Sequence, residues 1–269
     1  MPIDLFDRRQ FLTLPLAFLL APILAPVGRA LAETARRRGV YQADVGLLYE
    51  LFSFRLDGTI DETIDRGTGR YELKLAGQGK SIANRMETQG LLRDGRWAPL
   101  QTRSWVQVYG RESSTEVSYD YEHARIAYRA RSETFLLRRL RAVDDVLPLP
   151  EGVHVDDSLS ATLNYAEGLW PARADGRRRT HVVRRKMAED EGSDDVATVY
   201  HAELAPFDLV VEPAGRGGKT TAQVDLSRFS SWASASRPAR IVFGADGRPE
   251  QITTPLILGS SIRIRLASV

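Results

Sequence analysis

The sequence contains no cysteine. Disulfides, thiolate metal sites, cysteine nucleophiles and a lipid-modified N-terminal cysteine are therefore excluded. Lysine is scarce: Lys74, Lys80, Lys186 and Lys219 are the full set, so arginine supplies 33 of the 37 basic residues. An excess of charge of one sign is missing too. The 35 acidic residues leave a formal net charge of +2, which points away from nucleic acid as a partner, because phosphate contacts need a concentrated basic surface. What is present, 43% hydrophobic and 27% charged residues over 269 positions, is the balance of a folded chain long enough to bury a core.

Long apolar runs are confined to the N-terminus. Arg8 and Arg9 form a charged start, Phe11 to Val27 is almost continuously apolar, and Ala30 and Ala32 are small residues at the two positions a signal peptidase reads. Residues 1–32 therefore read as a cleavable export signal, with the export machinery as the first partner and the periplasm as the destination. The stretch Asp7-Arg8-Arg9-Gln10-Phe11-Leu12-Thr13 resembles the twin-arginine motif. Arg8, Arg9, Phe11 and Leu12 match its core, while Asp7 and Thr13 depart from its usual flanks, so the Sec route stays open. Pro15, Pro22 and Pro26 each remove a helix hydrogen bond. They disfavour the alternative, an N-terminal anchor retained in the inner membrane and facing the periplasm. The remaining 237 residues carry 34 basic and 33 acidic side chains and are close to neutral.

From residue 41 onward the dominant hydrophobic period is two, the period of a half-buried strand. Strands are expected over Val45–Phe54, Thr59–Ile64, Arg70–Leu75, 82–92, Trp97–Tyr109, Thr115–Tyr121, Ala124–Ala130 and Thr134–Arg141. Later ones fall near 179–187, 196–204, 207–213, 219–227, 239–243, Gln251–Thr254 and Ile262–Leu266. Asp57-Gly58, Asp94-Gly95 and Asp246-Gly247 carry the composition of hairpin turns. One interruption has helical spacing: Leu159, Leu163, Ala166 and Leu169 follow the cap-forming Asp156-Asp157-Ser158 and run up to Pro171. The expected fold is mostly β: one antiparallel curved sheet, a barrel or half-barrel, with one principal helix near 157–169 and early strands pairing with late ones. It forms a single domain over 41–267.

Several short segments resemble the exported bacterial family known as domain of unknown function 3108. They are the early Tyr-rich strand pair with Asp57-Gly58, Leu92-Arg93-Asp94-Gly95-Arg96-Trp97-Ala98-Pro99, the helix start Asp157-Ser158-Leu159-Ser160-Ala161, and Gly247-Arg248-Pro249 through Gly259 to Leu266. The resemblance implies a periplasmic, mostly antiparallel curved sheet or barrel. It implies no catalytic residue.

Motifs for chemistry are few. The histidines His123, His154, His181 and His201 form no short metal-ligand pair, although His181 and His201 are placed to meet across the 179–187 and 196–204 strands. The acidic stretch Glu189 to Asp195 lacks the ordered oxygen spacing of a calcium loop. Gly215 to Thr221 has a Gly-Lys-Thr look without phosphate-loop spacing, and no Gly-x-Ser-x-Gly occurs. No metal and no cofactor is expected, and catalytic residues are assigned to none. The basic runs Arg36–Arg38, Arg138–Arg141, Arg177–Arg179 and Arg184–Lys186 suit anionic headgroups or acidic glycans, because guanidinium forks match phosphate and carboxylate bidentately. A solvated strand face is the simpler account of these runs.

Aromatic residues gather in the first half. Tyr49, Phe52, Phe54, Trp105, Tyr109, Tyr119 and Tyr121 are candidates to line a concave apolar cavity. The resulting expectation is a non-catalytic periplasmic protein that holds an apolar or lipid-like ligand in a curved sheet. An envelope assembly module with a protein partner, and an enzyme acting on polysaccharide or lipid, are the alternatives.

Overall fold

The computed structural model describes residues 34–47, 49, 52–133, 140–186, 200–212, 214, 218–229, 233–234, 236–257 and 259–268. The strands are β1 (Thr34–Leu47), β2 (Phe52–Asp65), β3 (Arg70–Gly79), β4 (Ile82–Arg93), β5 (Arg96–Val108), β6 (Arg111–Asp120), β7 (Arg125–Glu133) and β8 (Leu140–Pro148). The single helix among the described residues, α1 (Ser158–Ala166), comes next. It is followed by β9 (Arg177–Arg185), β10 (Ala202–Glu212), β11 (Thr221–Val224), β12 (Ala239–Phe243), β13 (Pro249–Pro255) and β14 (Ser261–Ser268).

All fourteen strands form one antiparallel sheet in the order β8-β7-β6-β5-β4-β3-β2-β1-β14-β13-β12-β11-β10-β9. The chain thus meanders outward from β1 to one edge, crosses through α1, and meanders back so that β14 pairs with β1. This is the expected mostly β, curved, barrel-like sheet with one principal helix. The sheet nearly closes on itself. Val153 to Asp156 runs parallel along the outer edge of β9, where the Asp156 amide donates to the His181 carbonyl at 2.8 Å. On the other side of the seam the Ala202 amide donates to Asp145 on β8 at 2.6 Å. Val143, Val155, Val183 and Ala202 are buried together across this join with Tyr128.

Period-two alternation places one face of every strand inside. Tyr41, Ala43 and Val45 on β1, Leu56, Ile60 and Ile64 on β2, Leu73 and Leu75 on β3, and Ile262 and Ile264 on β14 form the main core with Leu159 and Leu163 of α1. Full burial of an aliphatic side chain of this size contributes about 1.5–3 kcal/mol, so α1 is held by its apolar face as well as by its cap.

The turn signals separate into two kinds. Asp94-Gly95 is a two-residue turn with φ of 51° and 75°, and Asp246-Gly247 also turns the chain, with Gly247 at φ 76°. Asp57-Gly58 does not turn. It lies inside β2, which runs unbroken from Phe52 to Asp65, and the chain reverses before Phe52 instead. Gly58 is required there for another reason. A Cβ at Gly58 would sit 2.4 Å from the Tyr41 ring, and one at Gly77 would sit 2.1 Å from the Tyr41 hydroxyl. The Tyr41 ring lies across both glycines and its hydroxyl donates to Asn84 Oδ1 at 2.7 Å.

β1 begins at Thr34, so Arg36, Arg37 and Arg38 are strand residues ahead of the expected domain start. Residues 1–32, and with them Arg8, Arg9, Phe11, Leu12, Ala30 and Ala32, lie outside the described residues, as do 134–139, 187–199 and Gly215 to Gly217. The expected strand Thr134–Arg141 is described only from Leu140.

Candidate functional site

Two polar arrangements stand out, one inside the sheet and one outside. The inner one is built on Asp156 and Asp157 at the start of α1, where cap-forming residues are required because the first helical amides lack partners. Asp157 Oδ1 accepts from the amides of Leu159 at 2.7 Å and Ser160 at 3.0 Å, and the Ser160 hydroxyl accepts from the Asp157 amide at 3.0 Å, closing a capping box. Asp157 Oδ2 accepts from Thr88 of β4 at 2.6 Å and Thr102 of β5 at 2.8 Å. Asp156 accepts from Arg96 at 2.9 Å, Thr180 at 2.6 Å, Asn164 at 2.8 Å, Ser160 at 3.0 Å and His154 at 3.3 Å. Asn164 also clamps the backbone of Trp97, accepting from its amide and donating to its carbonyl, each at 2.8 Å.

The two neighbouring carboxyls are driven in opposite directions. Burial pushes both up. For Asp156 the hydrogen bonds from His154 and Thr180 and the charges of His154 and Arg96 outweigh burial and hold it below its ordinary value. For Asp157 the bonds from Thr88, Thr102 and the helix amides do not, and its carboxyl is raised. Burial also lifts the Tyr71 and Tyr119 hydroxyls well above their usual range, with the nearby carboxylates adding to the effect. Each oxygen of Asp156 and Asp157 accepts at least two hydrogen bonds. That fills the lone-pair sites a carboxylate offers. The pair therefore joins β4, β5, β9 and α1, and it presents no free oxygen to a substrate. The space left between α1 and the facing Phe207, Leu209, Ile241 and Ile252 is about 40 Å³.

The outer arrangement follows from strand register. One transverse row on the outer face reads Val40, Thr59, Ala76, Arg85, Trp105, Ser114, Arg131, Ala142 across β1 to β8. Trp105 faces outward because Thr102 and Val108 of the same strand face the core. The next outward row along the strands reads Arg38, Asp61, Lys74, Glu87, Arg103, Glu116, Arg129, Asp144, strictly alternating in sign over eight strands. Arg38–Asp61 at 3.5 Å, Arg103–Glu116 at 3.0 Å and Arg129–Asp144 at 3.3 Å are ion pairs within it.

Between these rows, where the twisted sheet turns a hollow outward, lies a recess of about 780 Å³ lined by Arg85, Trp105, Arg131 and the charged row. A second of about 780 Å³ adjoins it over β2 to β5 and shares Arg85 and Trp105. Among the described residues neither Arg85 nor Arg131 forms an ion pair, in contrast to Arg103 and Arg129 beside them.

No family model matches this chain. No curated protein matches it either. Among solved structures it is similar to a crystal structure described as a beta-barrel-like protein of domain of unknown function DUF1849 from Brucella abortus, with 11% identity, a TM-score of 0.42, and 87% of this chain and 96% of that one covered. The resemblance to the domain of unknown function 3108 family accordingly rests on the short motifs alone.

The seven aromatic residues expected to line one cavity occupy different places. Phe54 is buried in the main core and meets Tyr109 edge to face at 5.3 Å, while Tyr109 is 49% exposed at the β5–β6 turn. Tyr119 is buried in the seam cluster with Tyr121 stacked on it at 6.4 Å. Tyr49 is 74% exposed beside Gly259. Trp105 stands on the outer face, and the Phe52 side chain is outside the described set.

Of the histidines, His181 and His201 do not meet. Strand register sets His181 opposite Pro206 and leaves His201 opposite Lys186, beyond the paired stretch and 3.4 Å from Asp145. Among the described residues no group of three metal-ligating side chains comes together. The acidic residues Glu189 to Asp195 fall outside them. Sequence reasoning missed the outer row because its members, on eight strands, are brought together only by seven successive pairings.

Proposed function

We propose that this is an exported, non-catalytic binding protein of the cell envelope that takes an amphipathic ligand on the outside of its sheet. The observation that carries the reading is the pair of adjoining outer recesses, each about 780 Å³, meeting at Trp105 and Arg85. Volumes of roughly 300–1,000 Å³ suit small ligands, whereas the space beside α1 is about 40 Å³. Trp105 supplies a flat apolar surface and the guanidinium groups supply charge. Export follows from the signal-like residues 1–32, cleaved by the twin-arginine or Sec route or else retained as an anchor, and the periplasm is the working compartment. No helix among the described residues is long and apolar enough to cross a membrane.

Titration with anilinonaphthalene sulfonate, an aromatic amphipathic anion, tests the binding reading. Saturable binding to the wild-type protein that is lost in Trp105→Ala is the expected result. Binding unchanged in that variant, or none at all, refutes it. A second reading, an envelope interaction module, draws on the edge strand β8, where Leu140 and Val146 are 66% and 65% exposed. It predicts a co-purifying protein that is lost when both are replaced by serine.

A further inference from the structure

We infer that the outer row is a binding track for an acidic oligosaccharide, with Trp105 as the stacking platform and Arg85 and Arg131 as the carboxylate forks. The inference rests on the proposed outer-face binding site and names its ligand. The row Thr59, Ala76, Arg85, Trp105, Ser114, Arg131, Ala142 is short-sided except at three positions, and those three are an arginine, a tryptophan and an arginine. Strands stand about 4.8 Å apart, so Arg85 on β4 and Arg131 on β7 are about 14 Å apart along the sheet, with Trp105 between them. A ligand that meets all three must be extended, carry anionic groups at intervals, and offer an apolar face to the indole ring. A chain of carboxylated pyranose rings has each of these properties. The carbon-bound hydrogens of the ring give it an apolar face, and its carboxylates are anions that a guanidinium fork matches bidentately.

Charge placement decides between a single chain and a membrane surface. The charged row beside the track contains Asp61, Glu87, Glu116 and Asp144 in alternation with its cations. An anionic bilayer laid on this face would bring its headgroups against those four carboxylates. A single chain seated along the track meets the arginines that lack an acidic partner among the described residues; Glu87, Glu116 and Asp144 line the same recess, but Arg103 and Arg129 lie among them, and the recess adjoins the second at Arg85 and Trp105.

The test is calorimetric titration of the full chain with oligogalacturonate, with its methyl ester, with polyglutamate, and with phosphatidylglycerol vesicles. Oligogalacturonate is expected to bind with an affinity that falls as salt rises. Arg85→Gln and Arg131→Gln should each weaken it roughly tenfold or more, since each removes a charge-assisted contact. Trp105→Ala should weaken it comparably, and Arg263→Gln on β14, which is exposed and remote from the track, should leave it unchanged. Equal binding of the methyl ester, equal binding of polyglutamate, or vesicle binding in place of glycan binding would each overturn the inference. If anilinonaphthalene sulfonate binds in a Trp105-dependent way while oligogalacturonate does not, the ligand assignment fails and the outer-face site stands. If neither binds, both fail.

Discussion

Replacing Asp157 by asparagine and by alanine separates two contributions that its carboxyl makes at once. As a helix cap it satisfies the amides of Leu159 and Ser160, and as a buried acceptor it receives the hydroxyls of Thr88 and Thr102. Alanine removes both. Loss of the cap costs about 1 kcal/mol. Thr102 can then donate to Thr88 at 3.2 Å and Thr88 to the Gln101 carbonyl at 3.3 Å, so two short bonds to a carboxyl are exchanged for two long neutral ones, a loss of about 1–3 kcal/mol. Asp157→Ala is therefore expected to lose about 2–4 kcal/mol. Asparagine caps about as well as aspartate and keeps the shape, so Asp157→Asn is expected within about 1 kcal/mol of wild type at neutral pH.

The pH dependence of that second comparison carries the sharper information. The Asp157 carboxyl is raised from its ordinary 3.8, chiefly by burial. A raised folded value means the folded protein takes up the proton first. Its contribution to stability is then fully present below 3.8 and is lost as pH rises through the raised folded value. Urea unfolding of wild type and Asp157→Asn, followed by far-ultraviolet circular dichroism across this range, isolates the term because other groups titrate alike in both. Wild type should lose ground to the asparagine variant on going from acid to neutral. If it gains ground instead, the four hydrogen bonds hold the carboxylate more strongly than burial opposes it, and the argument is wrong.

Two further perturbations test the packing. Gly58→Ala should destabilise by about 1–3 kcal/mol or more, because its Cβ would meet the Tyr41 ring and the Ala76 carbonyl; unchanged stability in urea would show that Tyr41 does not lie across β2. Arg248→Met should lose up to about 3–5 kcal/mol by removing the cation paired with buried Glu62 and leaving that carboxylate to the charge of Arg37 alone, and adding Glu62→Gln should recover much of that loss. An additive double variant would refute the pairing.

How legible all this was depends on the range of the interaction concerned. Strand periodicity, the two true hairpin turns at Asp94-Gly95 and Asp246-Gly247, and the cap at Asp157 are written within a few residues of where they act. Asp57-Gly58 carries the same turn composition, yet its glycine answers to Tyr41, 17 positions away on a neighbouring strand, and no local rule distinguishes the two cases. The alternation around Trp105 shows that it opposes Val106, but which side faces water depends on the whole sheet. The aromatic residues of the first half likewise share a strand period without sharing a compartment: Phe54 and Tyr119 enter different buried clusters, because β2 and β6 lie at different distances from the seam.

The scarcity of lysine acquires a structural meaning on the outer face. In the alternating row, three of four cations are arginines, and each ladder contact there contributes little by itself, about 0.2–1 kcal/mol. What the row does is neutralise its own charge while marking register, since a slip of one residue in any of these strands would turn that strand's charged side chain into the core. Arginine in that row is therefore accounted for by folding. Arg85 and Arg131 are not, because no carboxylate stands opposite them: Trp105 and Ala76 flank the one, Ser114 and Ala142 the other. Removing a ladder arginine should register in stability and removing a track arginine in binding, so the two roles of one residue type separate by position on the same face of the sheet.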